Sequence, residues 1–252
     1  MANENVWQST IASPNKYSLF NFPLNQAGNN TVIPLDYSSN LVAPIYGGSV
    51  ALSEPWSNAG YLTISAGAGH NVQIPNSKSS WNLNKDSVLI LFTVNKALPA
   101  ANDTFIGNCD ATAASGNYGF FLVAITTGKM RVRINADSFF SGMADSIGTF
   151  FDGTDHHCAL SLNGVTKEVR LYRDGILDTA YASAFTAATY NAITNALYVG
   201  QTMTGNGVAL EIKGLQMLKF PNSALPINLD EIVKISASKT RTGISTADAV
   251  FM

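Results

Sequence analysis

The sequence predicts an all-β protein, an antiparallel two-sheet sandwich, and three observations carry that prediction. Short apolar runs recur along the chain, each bounded by Gly, Asn, Ser or Pro, which is the pattern of strands separated by turns. Two pairs of these runs are joined by turn dipeptides, Thr127-Gly128 and Asn163-Gly164. A single stretch near the C-terminus has helical periodicity. Composition agrees: hydrophobic residues make up 46% of the 252 residues, ample for a core. Charged residues are only 13%, about half of the roughly 25% of an ordinary soluble domain. A net charge of −2 and a pI near 5.9 give no field that draws the chain to nucleic acid or an anionic membrane.

Residues 1–59 are rich in Asn, Ser, Pro and Gly, with short apolar pieces such as Thr31–Leu35. They predict an extended segment packed on the sandwich or on neighbouring subunits. Tyr61–Ser65 and Asn71–Pro75 are short alternating runs separated by a Gly-rich turn, expected to form a hairpin that carries His70. Ser87–Val94 is apolar at nearly every position, which predicts a central strand covered on both faces. The opposing sheet would cover one face, and the N-terminal segment or a partner subunit the other. Tyr118–Thr126 and Lys129–Asn135 form the clearest hairpin. In its second arm Met130, Val132 and Ile134 point one way, and Lys129, Arg131 and Arg133 the other. Asp155–Asn163 and Thr166–Asp174 make another hairpin, with Asn163-Gly164 predicting a type I′ turn.

Leu197–Gly200 and Leu210–Phe220 supply the last strands. In the latter the apolar phase slips across Gly214, as a β-bulge requires. The helix starts at Asn228, an N-cap with Glu231 three positions on, and Leu229, Ile232 and Val233 make its apolar stripe. It is expected to last about two turns. Residues 60–237 thus read as one sandwich domain and 238–252 as a C-terminal tail. The two cysteines, Cys109 and Cys158, are expected as buried thiols. The longest dense apolar run, Val88–Val94, is far short of the roughly 20 residues that span a bilayer, so no membrane insertion is expected.

Asp152–Leu162, with the residues Asp-Gly-Thr-Asp-His-His, followed by Leu171-Tyr172-Arg173-Asp174-Gly175, resembles the paired strands of the laminin-G-like, concanavalin A-like lectin family. Leu197–Gly200, Gly214–Phe220, Leu225–Val233 and, upstream, Asp86–Val94 resemble further elements of that jelly roll in order. The resemblance covers residues 60–235. It implies a jelly-roll fold shared by lectins, hydrolases, adhesion modules and virus surface proteins. Where the family has a Trp before the His pair, this chain has Asp155, so that packing anchor is missing or supplied elsewhere. Some laminin-G-like modules hold calcium. Asp103 and Asp110 lie in the right sort of loop, but without a dense Asp/Asn cluster, and no cofactor is expected.

Hydrolases of this fold carry paired carboxylates along one strand. The glutamates are Glu4, Glu54, Glu168, Glu211 and Glu231, and none lies in such a motif. Glu211 reads as a surface residue with Lys213 on its face. His156 and His157 are adjacent on a strand and point to opposite faces, so they do not share a metal. No nucleophile elbow, phosphate loop or dinucleotide fingerprint is present, and no enzyme is expected. Lys129, Arg131 and Arg133 make a basic stripe that offers a partner contact or a solvated face. No aromatics alternate with them, and no nucleic-acid platform is read there. Sugar contacts would come from Asn117, Tyr118, Trp56, Trp81, Tyr190 and the loop 201–207. Phe139-Phe140 and Phe150-Phe151 are expected to turn one ring of each pair outward, as a protein interface would.

The sequence reading is a non-enzymatic structural or decoration protein of a bacteriophage particle. Its partners would be other virion proteins and copies of itself. The alternative is a glycan-binding module that holds cell-surface glycans. The first eight residues show no basic stretch followed by an apolar run. The expected route is synthesis in the host cytoplasm, without a secretion signal, ending on the virion surface.

Overall fold

The computed structural model describes residues 18–22, 45–47, 50–53, 61–66, 70–75, 81–82, 84–109, 119–135, 140–182, 185, 193, 195–201 and 208–241. Two antiparallel sheets face each other across one apolar core. Sheet A runs in the order β13 (Ile176–Tyr181), β12 (Val169–Arg173), β11 (Asp155–Leu162), β6 (Ser87–Asn95), β15 (Leu210–Phe220), β4 (Tyr61–Ile64) and β3 (Val50–Ser53), and β1 (Ser18–Phe22) also pairs with β15. Sheet B runs β10 (Phe140–Asp145), β9 (Met130–Asn135), β8 (Gly119–Ala124), β7 (Asp103–Gly107), β14 (Leu197–Val199), β5 (Asn71–Ile74) and β2 (Ile45–Gly47). The two-sheet β-sandwich expected from the sequence is the fold. Strand β1 pairs with β15, and β2 and β3 form the ends of sheets B and A, pairing with β5 and β4.

The core between the sheets takes the inward phase of each strand. Val88, Ile90, Phe92 and Val94 of β6 meet Phe120, Leu122 and Ala124 of β8 and Met130, Val132 and Ile134 of β9 in one buried cluster. Strand β6 pairs with β11 on one side and β15 on the other, and both of its faces are buried, which is why its sequence lacks alternation. Its second apolar face lies beneath the helix α1 (Leu229–Arg241). Leu89, Leu91, Ala159, Tyr172, Leu218 and Phe220 of the sheet are buried with Leu229, Ile232 and Val233. That face was expected to be covered by the N-terminal segment or a partner, and the helix covers it instead. Tyr172 donates from its hydroxyl to Asp230 Oδ1 at 2.6 Å, fixing the first helical turn to the sheet.

Several local readings change. Tyr61–Ile64 and Asn71–Ile74 do not pair with each other; β4 joins sheet A and β5 joins sheet B, so the chain crosses between sheets there. The Asn163-Gly164 loop is not a two-residue type I′ turn. Asn163 N–H bonds to Glu168 O at 2.9 Å, Lys167 N–H to Asn163 O at 2.8 Å, and the left-handed residue is Lys167 (φ 61°). Asn163 Oδ1 accepts from the backbone of Val165 and Thr166, an Asx-turn that competes with the tight hairpin. Glycine at 164 serves close approach, because a Cβ there would stand 2.2 Å from Asp86 O. The helix has 13 residues, longer than two turns. Asn228 enters it through its carbonyl, which accepts from Ile232 N–H at 3.1 Å, whereas its buried Oδ1 has no hydrogen-bond partner. The expected bulge is present: pairing of β15 with β6 slips between Lys213 and Gln216, and Gly214 takes φ +63°.

Candidate ligand-binding cleft

Alternation places four polar side chains in a row. On β15, Leu210 and Ile212 point into the core, so Glu211 between them points out. On β6 the inward Val94 leaves Asn95 outward, and on β4 the inward Ile64 leaves Thr63 outward. Register then sets them side by side: Thr63 opposite Glu211, Glu211 opposite Asn95, and Asn95 opposite Asp155. Directly opposed residues lie roughly 4.5–5.5 Å apart. The row therefore presents a hydroxyl, a carboxylate, an amide and a second carboxylate across four strands at one end of sheet A. Asn95 Nδ2 donates to Asp155 Oδ1 at 2.9 Å.

Beside this row opens a cleft of about 590 Å³, lined by Thr63–Ala66, Asn95–Ala100, Asp103 and Ala209–Glu211. Its floor is the junction of both sheets, where β4 and β6 end and β7 and β15 begin. Lys96 holds that junction together. Its ammonium donates to Ala209 O at 3.0 Å and pairs with Asp103 at 3.4 Å, and its carbonyl accepts from Gly153 N–H at 3.1 Å. The wall is the Lys96–Ala100 segment, from which Leu98 stands 60% exposed. An exposed aliphatic side chain beside acceptor-rich polar groups can meet a sugar ring, whose C–H faces are apolar and whose hydroxyls need partners.

Glu211 and Asp155 are the carboxylates that hydrolysis would require. Two strand spacings separate them, about 9.6 Å, near the upper end of the roughly 6.5–9.5 Å of inverting glycosidases. Asp155 is exposed and Glu211 half-buried in an open cleft, so neither sits in the water-excluded pocket that sets up an acid catalyst. The arrangement is suited to binding.

Of the sites expected from sequence, Asp103 lines this cleft, as the ion-pair partner of Lys96. Asp110, Asn117, Tyr118, Phe139, Trp56 and Tyr190 lie outside the described residues. The backbone of Phe140 pairs with Asn135 on β10. Trp81 is buried in the core and stacks near Phe120, so it is no sugar platform. Phe150 and Phe151 are both buried. The segment between β10 and β11 is not a strand there, which frees both rings to turn inward.

Lys129, Arg131 and Arg133 do lie on one face of sheet B, but their neighbours explain two of them. Arg131 makes a bidentate pair with Asp145, which lowers that carboxyl's pKa. Arg133 stacks over Phe121 at 5.8 Å from its ring centre. Phe121, Val123, Ile125 and Cys109 form a small buried cluster on this outer face, with Arg133 and Arg131 directly opposite Phe121 and Val123. The arginine stems fit as its cover.

The two histidines separate as alternation requires. His156 bonds through Nδ1 to Asp174 at 2.9 Å and through Nε2 to Asp152 at 3.2 Å, while His157 Nε2 meets Ser236 Oγ of the helix at 3.0 Å. Among the described residues no group of three or more His, Cys, Asp or Glu side chains could hold a metal.

No protein-family model matches the chain, and no curated protein matches it by sequence. Its fold is that of several solved structures. The binding domain of Paraclostridial Mosquitocidal Protein 1 is 12% identical with a TM-score of 0.64, over 89% of this chain and 52% of that one. A structure of botulinum neurotoxin type C, a toxin whose cell entry is dependent upon interaction with two ganglioside molecules, is 12% identical with a TM-score of 0.64, over 91% and 53%. A Trypanosoma rangeli sialidase bound to the inhibitor DANA is 14% identical with a TM-score of 0.57, over 92% and 33%. The chain spans about half the length of the toxin structures and a third of the sialidase. Together they establish the β-sandwich fold.

Proposed function

We propose that this chain is a non-enzymatic glycan-binding module whose ligand lies across the Thr63–Glu211–Asn95–Asp155 row and enters the adjoining cleft. The observation that carries the reading is that row: four outward polar groups in cross-strand register, next to an open cleft with an exposed Leu98. Sugar hydroxyls would donate to Glu211 and to Asn95 Oδ1, and accept from Thr63 or Ser65. A ring face would rest on Leu98. The toxin neighbours support the reading as sandwiches that are themselves binding domains, one described as entering cells through gangliosides. The test is a glycan array probed with the full chain, followed by NMR titration of any hit. Shift changes confined to Thr63, Asn95, Leu98 and Glu211 would support the module, whereas saturable binding mapped elsewhere would refute this site.

A second reading has an observation of its own. Ile147, Ile176, Leu177 and Tyr181 are exposed along the outermost strand of sheet A and the loop beside it, where Ile147 N–H bonds to Asp178 on β13. Apolar side chains grouped at a sheet edge favour contact with another protein. A virion-surface protein that contacts copies of itself or other virion proteins through this edge would leave the cleft free for a host glycan. Immunogold labelling of particles from the natural source tests it, and label confined to soluble material refutes it.

A further inference from the structure

We infer that the cleft takes neutral, hydroxyl-rich glycans and excludes sugars that carry a carboxylate; the inference rests on the glycan-binding reading of this site. Among the described residues, the charged groups lining the cleft are Lys96, Asp103 and Glu211. Lys96 is the one cation among them, and it is committed: its ammonium is hydrogen-bonded to Ala209 O and paired with Asp103. Glu211 therefore leaves the lining with a net negative charge, and Asp155 adds a second carboxylate two strands along the same row.

Recognition of a sugar carboxylate calls for the opposite, an arginine fork or a cluster of backbone donors. No arginine lines the cleft among the described residues. The nearest candidates by sequence reading, Arg131 and Arg133, belong to the outer face of the other sheet, bound to Asp145 and stacked on Phe121. The row is rich in acceptors: the Glu211 carboxylate, the Asp155 carboxylate and Asn95 Oδ1, while Asn95 Nδ2 already donates to Asp155 Oδ1. A pyranose offers a hydroxyl donor at nearly every carbon, which matches them. A carboxylate brought within a few ångströms of Glu211 meets like charge in a partly desolvated site.

The experiment is an array of paired oligosaccharides, each neutral glycan beside its sialylated counterpart, probed at low and at physiological salt with wild-type chain and Glu211→Gln. Thermal unfolding confirms that the variant folds. The neutral member of a recognised pair should bind, and its sialylated counterpart should bind about tenfold more weakly at low salt, with the gap narrowing as salt rises. Glu211→Gln, which keeps the shape and removes the charge, should close most of that gap. Equal or tighter binding of the sialylated member, or a gap unchanged in Glu211→Gln, overturns the inference while leaving the glycan reading in place. Binding to neither class overturns the glycan reading itself, and the inference with it.

Discussion

Replacing Ile232 by Ala isolates the contact between α1 and sheet A. Ile232 is buried between Leu229 and Val233 on the helix and the apolar outer face of β6, β11, β12 and β15. Truncating a buried Ile to Ala costs about 2–5 kcal/mol, because the sheet beneath cannot collapse into the space. Alanine's better helix propensity returns about 0.4 kcal/mol, so the expected net loss is about 2–4 kcal/mol. For a chain of this size the loss lowers Tm by about 10 °C. Ile227, fully exposed two residues before the helix, supplies the control: Ile227→Ala should change stability by less than about 0.5 kcal/mol. Urea unfolding of both variants at constant m measures the difference. A loss below about 1 kcal/mol for Ile232→Ala would refute the claim that the helix is what covers β6.

Two further predictions concern acid and thiols. Asp152 has its pKa lowered to about 2, first by the Thr154 hydroxyl and then by His156, and Asp145 is lowered by its hydrogen bonds from Arg131. Both are depressed below the ordinary value of about 3.9, so their stabilisation is present above that value and is lost as pH falls below it, for Asp152 towards about 2. Asp145→Asn should flatten the acid limb of the stability profile over that window; an unchanged slope would show that the Arg131 pair contributes nothing. Cys109 and Cys158 are buried free thiols, and burial pushes the Cys158 thiol's pKa up. Native protein should therefore be inert to an aromatic disulfide reagent, with both thiols reacting only on unfolding. Fast labelling of Cys158 in the native state would contradict its burial.

What could be read from the sequence was whatever rests on near neighbours. The Lys129–Asn135 alternation, the doubly buried Ser87–Val94 run and the slip at Gly214 are each set by period-2 geometry within a few residues, and each is found in the fold. Where the reading failed, distance in sequence is the reason. Tyr61–Ile64 and Asn71–Ile74 resemble a hairpin locally, but their partners are Leu210–Ile212 and Leu197–Val199. One ring of the Phe150-Phe151 pair was expected outward by strand logic, but the segment is not a strand and both rings are buried. Asn163-Gly164 predicts the hairpin of β11 and β12, which forms, but its type I′ turn is replaced by an Asx-turn.

The cleft escaped for the same reason. Thr63, Asn95, Asp155 and Glu211 are 30 to 60 residues apart in steps along the chain, and only register joins them. A faint signal was available, since Asn95 ends the apolar β6 run, Glu211 interrupts an apolar alternation, and Asp155 stands where the resembled family has an aromatic. Each is a polar residue at the outward phase of a strand end.

Isothermal titration of an array-selected glycan against wild-type chain and Asn95→Ala tests the central claim most directly. Asn95 lies between the two carboxylates and on the cleft lining, and its own hydrogen bond is to an exposed partner, so its loss should leave Tm nearly unchanged. The account predicts saturable binding by the wild type and affinity at least about tenfold weaker in the variant, the loss of one or two hydrogen bonds to ligand. Identical affinities in the two proteins would contradict it.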